Sequence, residues 1–191
     1  MTRTSSMDAE REAARTVACL MAAAARTAPK ARGVDTIHTL IVEGEDLETL
    51  ARAMEDAAPG RSDIVENAYR RDARNVRNSA CVVLIGVTGA PKKPEKAFDC
   101  GACGLRTCAA LINARSKRAP GSDYAGPVCA FASIDLGVAL GSAVKVASDH
   151  DVDNRMMYTI GVAACRLKWI EADIIIGIPL SLTGKSIYFD R

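Results

Sequence analysis

Hydrophobic residues recur with helical spacing along most of this chain. Over 7–28 they follow the i, i+3, i+4, i+7 rule from Val17 to Ala25, which predicts an amphipathic helix that Pro29 ends. The same spacing predicts helices from 46 to the Pro59–Gly60 stop, over 63–78, over 109–114, from Ser133 or Asp135 to 147, and over 156–167.

Three shorter segments are β-branched and apolar instead, and they predict strands over 36–42, 80–87 and 172–178. The second is apolar almost throughout, which is typical of a central strand buried on both faces. Pro179 is expected to stop the third. Five or six helices around three or four strands indicate an α+β fold.

Length and composition narrow the class of protein. The chain has 191 residues, of which 49% are hydrophobic, so we expect one domain over 1–191 with a full core. A net charge of +2 gives no reason to expect nucleic acid or an anionic membrane as a partner. Near the N-terminus, Arg3, Arg11 and Arg15 are offset by acidic residues, unlike the start of a secretory leader. We expect a cytoplasmic protein with reduced cysteines.

Cysteine spacing carries the clearest chemical signal. Cys100, Cys103 and Cys108 form a C-x2-C-x4-C run, with glycines directly after the first two. A fourth, Cys129, follows a loop framed by Pro120–Gly121 and Gly126–Pro127. We therefore predict a metal-binding segment over 97–131 with these four cysteines as ligands.

The spacing favours an iron–sulfur cluster over zinc. Each iron of a [4Fe-4S] cluster takes one thiolate, and three cysteines in one tight glycine-containing loop can reach three of the irons. Structural zinc also binds four cysteines, but it usually takes two separate C-x2-C-type pairs. Zinc, or no metal at all, therefore stays open as an alternative.

Residues 99–129 resemble the four-cysteine iron–sulfur module of corrinoid iron–sulfur proteins and of the ferredoxin-like subunit of Rnf-type electron-transport complexes. The match rests on Asp99, Gly101, Gly104 and the three clustered cysteines. Nearly the whole chain resembles the DUF2148 family of ferredoxin-domain proteins from anaerobic bacteria and archaea, through 99–108, 135–145, 152–159, 177–185 and 189–191. This resemblance implies an iron–sulfur protein without defining a reaction.

The order of elements also resembles the nitroreductase fold, with an Ala-Pro loop at Ala28–Pro29 and an Ile-Gly-Ile-Pro strand near the end. That resemblance implies a small, mostly antiparallel central sheet flanked by helices, and a homodimer with FMN at its interface. On this analogy Lys30, Arg32 and Lys185 are candidate flavin contacts.

Four cysteine ligands would leave no iron open to substrate, so we expect a ferredoxin-like protein that passes electrons to redox partner proteins. The sequence contains no obvious acid–base or nucleophile constellation. Two other functions stay open: a nitroreductase-like flavoenzyme fed by the cluster, and a docking module whose metal is structural.

Overall fold

The computed structural model describes residues 3–119 and 123–189. The predicted turn at Pro120–Gly121 and the last two residues of the resembling stretch, 190–191, lie outside these ranges. The helices are α1 (Ser6–Thr27), α2 (Glu45–Asp56), α3 (Asp63–Arg77), α4 (Cys108–Ser116), α5 (Ala130–Asp149) and α6 (Tyr158–Arg166). The strands are β1 (Ile37–Glu43), β2 (Cys81–Val87), β3 (Asp153–Asn154) and β4 (Ile174–Ser181).

These strands form one sheet in the order β1-β2-β4-β3, and every pairing between them is antiparallel. The central strand β2 is buried along its whole length, as its continuous apolar sequence predicts. Its side chains alternate between two cores: Cys81, Val83 and Ile85 face one, and Val82 and Leu84 face the other. One core lies under α1 and α5, and the other under α2, α3 and α6.

Two expected boundaries are wrong. Helix α5 begins at Ala130, three residues before Ser133, so that Cys129 is its N-cap. Strand β4 continues through Pro179, which lies opposite the break between β3 and the Met157–Gly177 bridge. No N–H is required of a strand residue at such a break, so proline is tolerated there.

Close backbone approach fixes α6 on the sheet. A β-carbon on Gly161 would lie 1.7 Å from the carbonyl oxygen of Ile175, and one on Gly177 would lie 2.0 Å from Ile160. Glycine at both positions lets the helix contact β4 directly. Met156, expected inside this helix, instead precedes it and is exposed.

Helix α5 is unusually apolar for its place in the fold. Its length and mean hydropathy of 1.5 would suffice to cross a membrane, and 39% of that apolar window is buried in the structure. Its inner face packs on α1 and on the sheet, through alanines and leucines of the first core. Core helices can have the same length and composition, so these two properties alone are weak evidence for a membrane-spanning helix.

Candidate metal centre

The cysteine loop is shaped by tight turns. Asp99, Gly101 and Gly104 have positive φ angles of 47°, 73° and 84°, and the Gly104 N–H donates to the Gly101 carbonyl at 2.9 Å. Glycine adopts such angles without strain. The Asp99 carboxylate accepts a hydrogen bond from the Cys108 N–H at 2.7 Å, which closes the loop across nine residues.

Two of the four candidate ligands lie at helix N-termini. Cys108 is the first residue of α4, which Thr107 caps by accepting from the Ala110 N–H at 3.1 Å. Cys129 caps α5, and its carbonyl accepts from Ala132 and Ser133 at 3.0 and 3.2 Å. The positive ends of two helix dipoles therefore meet at the cysteines, where they favour negative charge.

Cys100, Cys108 and Cys129 line one small cavity of about 20 Å³. Its remaining lining residues are Ala31, Arg32, Pro91, Lys92, Phe98 and Phe131. A space of this size holds about one water molecule, so a larger group would have to displace part of the exposed loop. The structure thus brings together three thiols that are up to 29 positions apart in the chain.

Cys103 does not line this cavity. Its side chain is half-buried, packs against the core under α5, and has its sulfur 4.0 Å from the Leu105 carbonyl oxygen. Within residues 3–119 and 123–189, no three His, Cys, Asp or Glu side chains converge closely enough to hold one metal ion. The donor set fits an iron–sulfur cluster in chemistry, because cysteine thiolates are the usual ligands of such a cluster.

A buried ion pair forms part of the cavity wall. The Lys92 ammonium contacts the Asp135 carboxylate and donates to the Val34 carbonyl at 2.6 Å. Asp135 also accepts from the Ala31 N–H at 2.8 Å. We did not predict either residue as part of the site. One signal was available for Asp135: it lies at an inward position of α5, and buried carboxylates are rare unless paired.

Arg32, a predicted flavin contact, lies at the cysteine cavity. Its φ of 59° is left-handed, a conformation that costs a non-glycine residue about 1–2 kcal/mol. The guanidinium lies 4.4 Å from the centre of the Phe98 ring and donates to three carbonyls, those of Lys92 at 3.2 Å, Lys93 at 3.4 Å and Lys96 at 2.5 Å. Local strain of this kind persists where surrounding contacts hold the residue in place.

The two other predicted flavin contacts do not line this cavity. Lys30 donates to the carbonyls of Ala25 and Arg26 at 2.7 and 2.5 Å, at the C-terminal end of α1. Burial lowers the pKa of its ammonium group, and the neighbouring Asp35 carboxylate opposes that shift. Lys185 is exposed in the segment after β4. Of the three predicted flavin contacts, only Arg32 therefore lines the cysteine cavity.

Asp173 is linked to the cavity residue Cys129 through a hydrogen-bond network. Its carboxylate accepts from the Gly89 N–H at 2.6 Å and pairs with Arg115 at 2.7 Å and Arg118 at 2.5 Å. Burial alone would raise the pKa of this carboxyl, but the Gly89 N–H and the two guanidinium groups outweigh burial and lower it. Gly89 in turn accepts from the Cys129 N–H at 2.8 Å, so this network holds the fourth candidate ligand in position.

Comparison with other proteins identifies a family and a close relative in sequence. Residues 125–191 match the family described as "Uncharacterized protein containing a ferredoxin domain (DUF2148)". An "Uncharacterized protein" from Archaeoglobus fulgidus is 45% identical over 184 residues, which span 96% of this chain and 95% of the relative.

Two solved structures share the fold at low sequence identity. The nitroreductase-like family protein from Bacillus cereus has a TM-score of 0.57 at 7% identity, covering 97% of this chain and 90% of that one. A nitroreductase with bound FMN from Desulfitobacterium hafniense has a TM-score of 0.54 at 13% identity, covering 96% and 81%. The fold is therefore nitroreductase-like, as the order of elements predicts.

Proposed function

This chain belongs to the DUF2148 family of proteins that contain a ferredoxin domain, and from that premise we propose that it transfers electrons through one [4Fe-4S] cluster. The ligands would be Cys100, Cys103, Cys108 and Cys129. The observation that carries the proposal is the meeting of three of these thiols at one cavity, beside the N-termini of two helices.

The protein would contribute ligands, electrostatics and protection from water. The dipoles of α4 and α5 would stabilise the negative charge that four thiolates bring. The Asp99 and Asp173 hydrogen-bond networks would hold Cys108 and Cys129 at a set separation. When bound, such a cluster exchanges single electrons, and with four cysteine ligands it offers no open iron to a substrate.

Binding and redox measurements test the proposal directly. Anaerobically purified or reconstituted protein is expected to contain about four iron and four sulfide per chain, with a broad visible absorption that dithionite bleaches. Cys100→Ser, Cys108→Ser and Cys129→Ser should each lose most of the bound iron. Cys19→Ser is the matched control, because Cys19 is exposed on α1 and away from the cavity. A colourless wild type that holds one zinc and no sulfide would contradict the proposal.

Substitution of Cys103 distinguishes an electron-transfer cluster from a metal with a purely structural role. Its side chain packs against the core, so Cys103→Ser tests whether the residue acts through the fold or as a ligand. A retained fold with lost iron and no redox response is expected for electron transfer. Loss of the fold with an unchanged redox titration of the remaining folded protein would favour a docking module with a structural metal.

A flavoenzyme fed by the cluster is the second candidate function. It is favoured by the nitroreductase-like fold, since one structure of that fold is described with bound FMN. On this reading, denaturation releases a yellow fluorescent flavin, and Lys185→Gln weakens FMN binding while the exposed Lys145→Gln does not. Protein that takes up no FMN after reconstitution would exclude this second function.

A further inference from the structure

Two segments of the chain are joined by hydrogen bonds at the wall of the cysteine cavity. Residues 92–98, which we call the cover segment, receive three hydrogen bonds from Arg32 to their carbonyls. In the reverse direction, Lys92 donates to the Val34 carbonyl and Lys93 donates to the Arg32 carbonyl at 3.0 Å. The two segments are 60 positions apart, so this fastening is a property of the tertiary fold.

The cover segment has few other means of staying in place. All of its residues after Lys92 are exposed, and they form only the short 3-10 helix Pro94–Lys96. Phe98 lines the cavity, where its ring centroid lies 5.9 Å from that of Phe131 and the Arg32 guanidinium lies over its ring. Lys92 is held by Asp135 and Val34, but with so little buried apolar surface the position of residues 93–98 depends largely on the Arg32 contacts.

Two cationic side chains, Lys92 and Arg32, line the cavity, and only the charge of Lys92 is neutralised by a carboxylate. Lys92 is neutralised by Asp135, because both side chains are buried in one ion pair. Arg32 instead contacts carbonyl oxygens and an aromatic face, and within the described ranges it forms no salt bridge with a carboxylate. Its positive charge therefore remains uncompensated beside the thiols of Cys100, Cys108 and Cys129.

We propose that Arg32 is a positioning residue of the cluster site: it holds the cover segment over the cysteine cavity and supplies the net positive charge that favours the reduced cluster. This inference rests on the proposed function. One-electron reduction by dithionite adds one negative charge and forms or breaks no bond in the chain, so a fixed positive charge at the wall stabilises the product more than the reactant.

Three variants separate the effect of the Arg32 charge from the effect of its contacts with the cover segment. Arg32→Gln removes both the charge and these contacts, whereas Arg32→Lys keeps the charge but is shorter and lacks the planar guanidinium that lies over the Phe98 ring. Arg106→Gln is the matched control: Arg106 is an exposed cation of the same cysteine loop, where solvent and salt screen its charge.

Three readouts are compared in anaerobically loaded protein: amide hydrogen exchange over 92–98, the rate of cluster bleaching in air, and the midpoint potential from a dithionite titration. Arg32→Gln should raise exchange over 92–98, bleach several-fold faster, and shift the ratio of reduced to oxidised cluster about tenfold toward oxidised, which is ~59 mV for a one-electron couple. Arg32→Lys should exchange and bleach faster at a near-wild-type potential. Arg106→Gln should match the wild type in all three.

The possible failures are distinguishable. A wild type that takes up no cluster overturns both the proposed function and this inference. A wild type that is loaded, with Arg32→Gln equal to it in exchange, bleaching and potential, overturns this inference alone. The same follows if Arg106→Gln changes the potential as much as Arg32→Gln does.

Discussion

Replacing Lys92 with methionine is expected to cost a large part of the stability of this protein. The side chains of Lys92 and Asp135 are only 2% and 4% exposed, and they form an ion pair between the cover segment and α5. Methionine has a similar length but no charge, so Lys92→Met leaves a buried carboxylate whose remaining partner is the Ala31 N–H. The Val34 carbonyl also loses its hydrogen bond.

The magnitude follows from burial. Removing one partner of a buried ion pair typically costs about 3–5 kcal/mol, against a total free energy of unfolding of about 5–15 kcal/mol for a domain. For a chain of this length, each kcal/mol lowers Tm by about 2–4 °C, so Tm should fall by roughly 6–20 °C. Urea unfolding followed by circular dichroism, on cluster-free protein, measures the same loss without a contribution from bound metal.

Two further variants make the prediction refutable. Lys92→Met combined with Asp135→Leu removes both charges and should recover most of the loss, because no buried charge is left unpaired. Lys145→Met removes the equivalent partner from the Lys145–Asp149 pair, whose side chains are 73% and 55% exposed, and should change stability by no more than about 0.5 kcal/mol. If Lys92→Met costs less than about 1 kcal/mol, or if the double variant is as unstable as the single one, the pair does not hold the cover segment to α5 as described.

Two other predictions concern the sheet and its supports. Gly161→Ala should lower the free energy of unfolding, measured in urea, by about 3 kcal/mol or more, since the new β-carbon would meet the Ile175 carbonyl. The control Gly137→Ala, on the open face of α5, should raise it slightly. Equal effects of the two substitutions would contradict the close contact of α6 with β4. The folded-state pKa of Asp173 is lowered, so its contribution is fully present above its unfolded pKa of about 3.9 and is lost as pH falls through the folded pKa. Asp173→Asn should therefore cost about 3 kcal/mol at pH 7, and its Tm should approach that of the wild type as the pH falls below about 4; a difference that stays constant with pH would count against the shift.

Local sequence pattern was sufficient for most elements of the fold. The central strand β2 is apolar throughout because it is buried on both faces, and that pattern is readable without tertiary information. The helix boundaries depended more on context. Cys129 caps α5 through its carbonyl and the first-turn amides, with no side-chain hydrogen bond, so side-chain capping preference pointed too far along the chain to Ser133 or Asp135.

Part of the candidate site could likewise be predicted from the sequence, and part depends on the tertiary structure. Spacing alone placed Cys100, Cys103 and Cys108 in one short segment, and tight turns at the glycines that follow the first two keep that segment compact. The meeting of that loop with Cys129 and Arg32 was decided by the tertiary structure. It depends on the Asp173 and Gly89 hydrogen bonds and on contacts between segments 60 or more residues apart, and no local periodicity encodes such contacts.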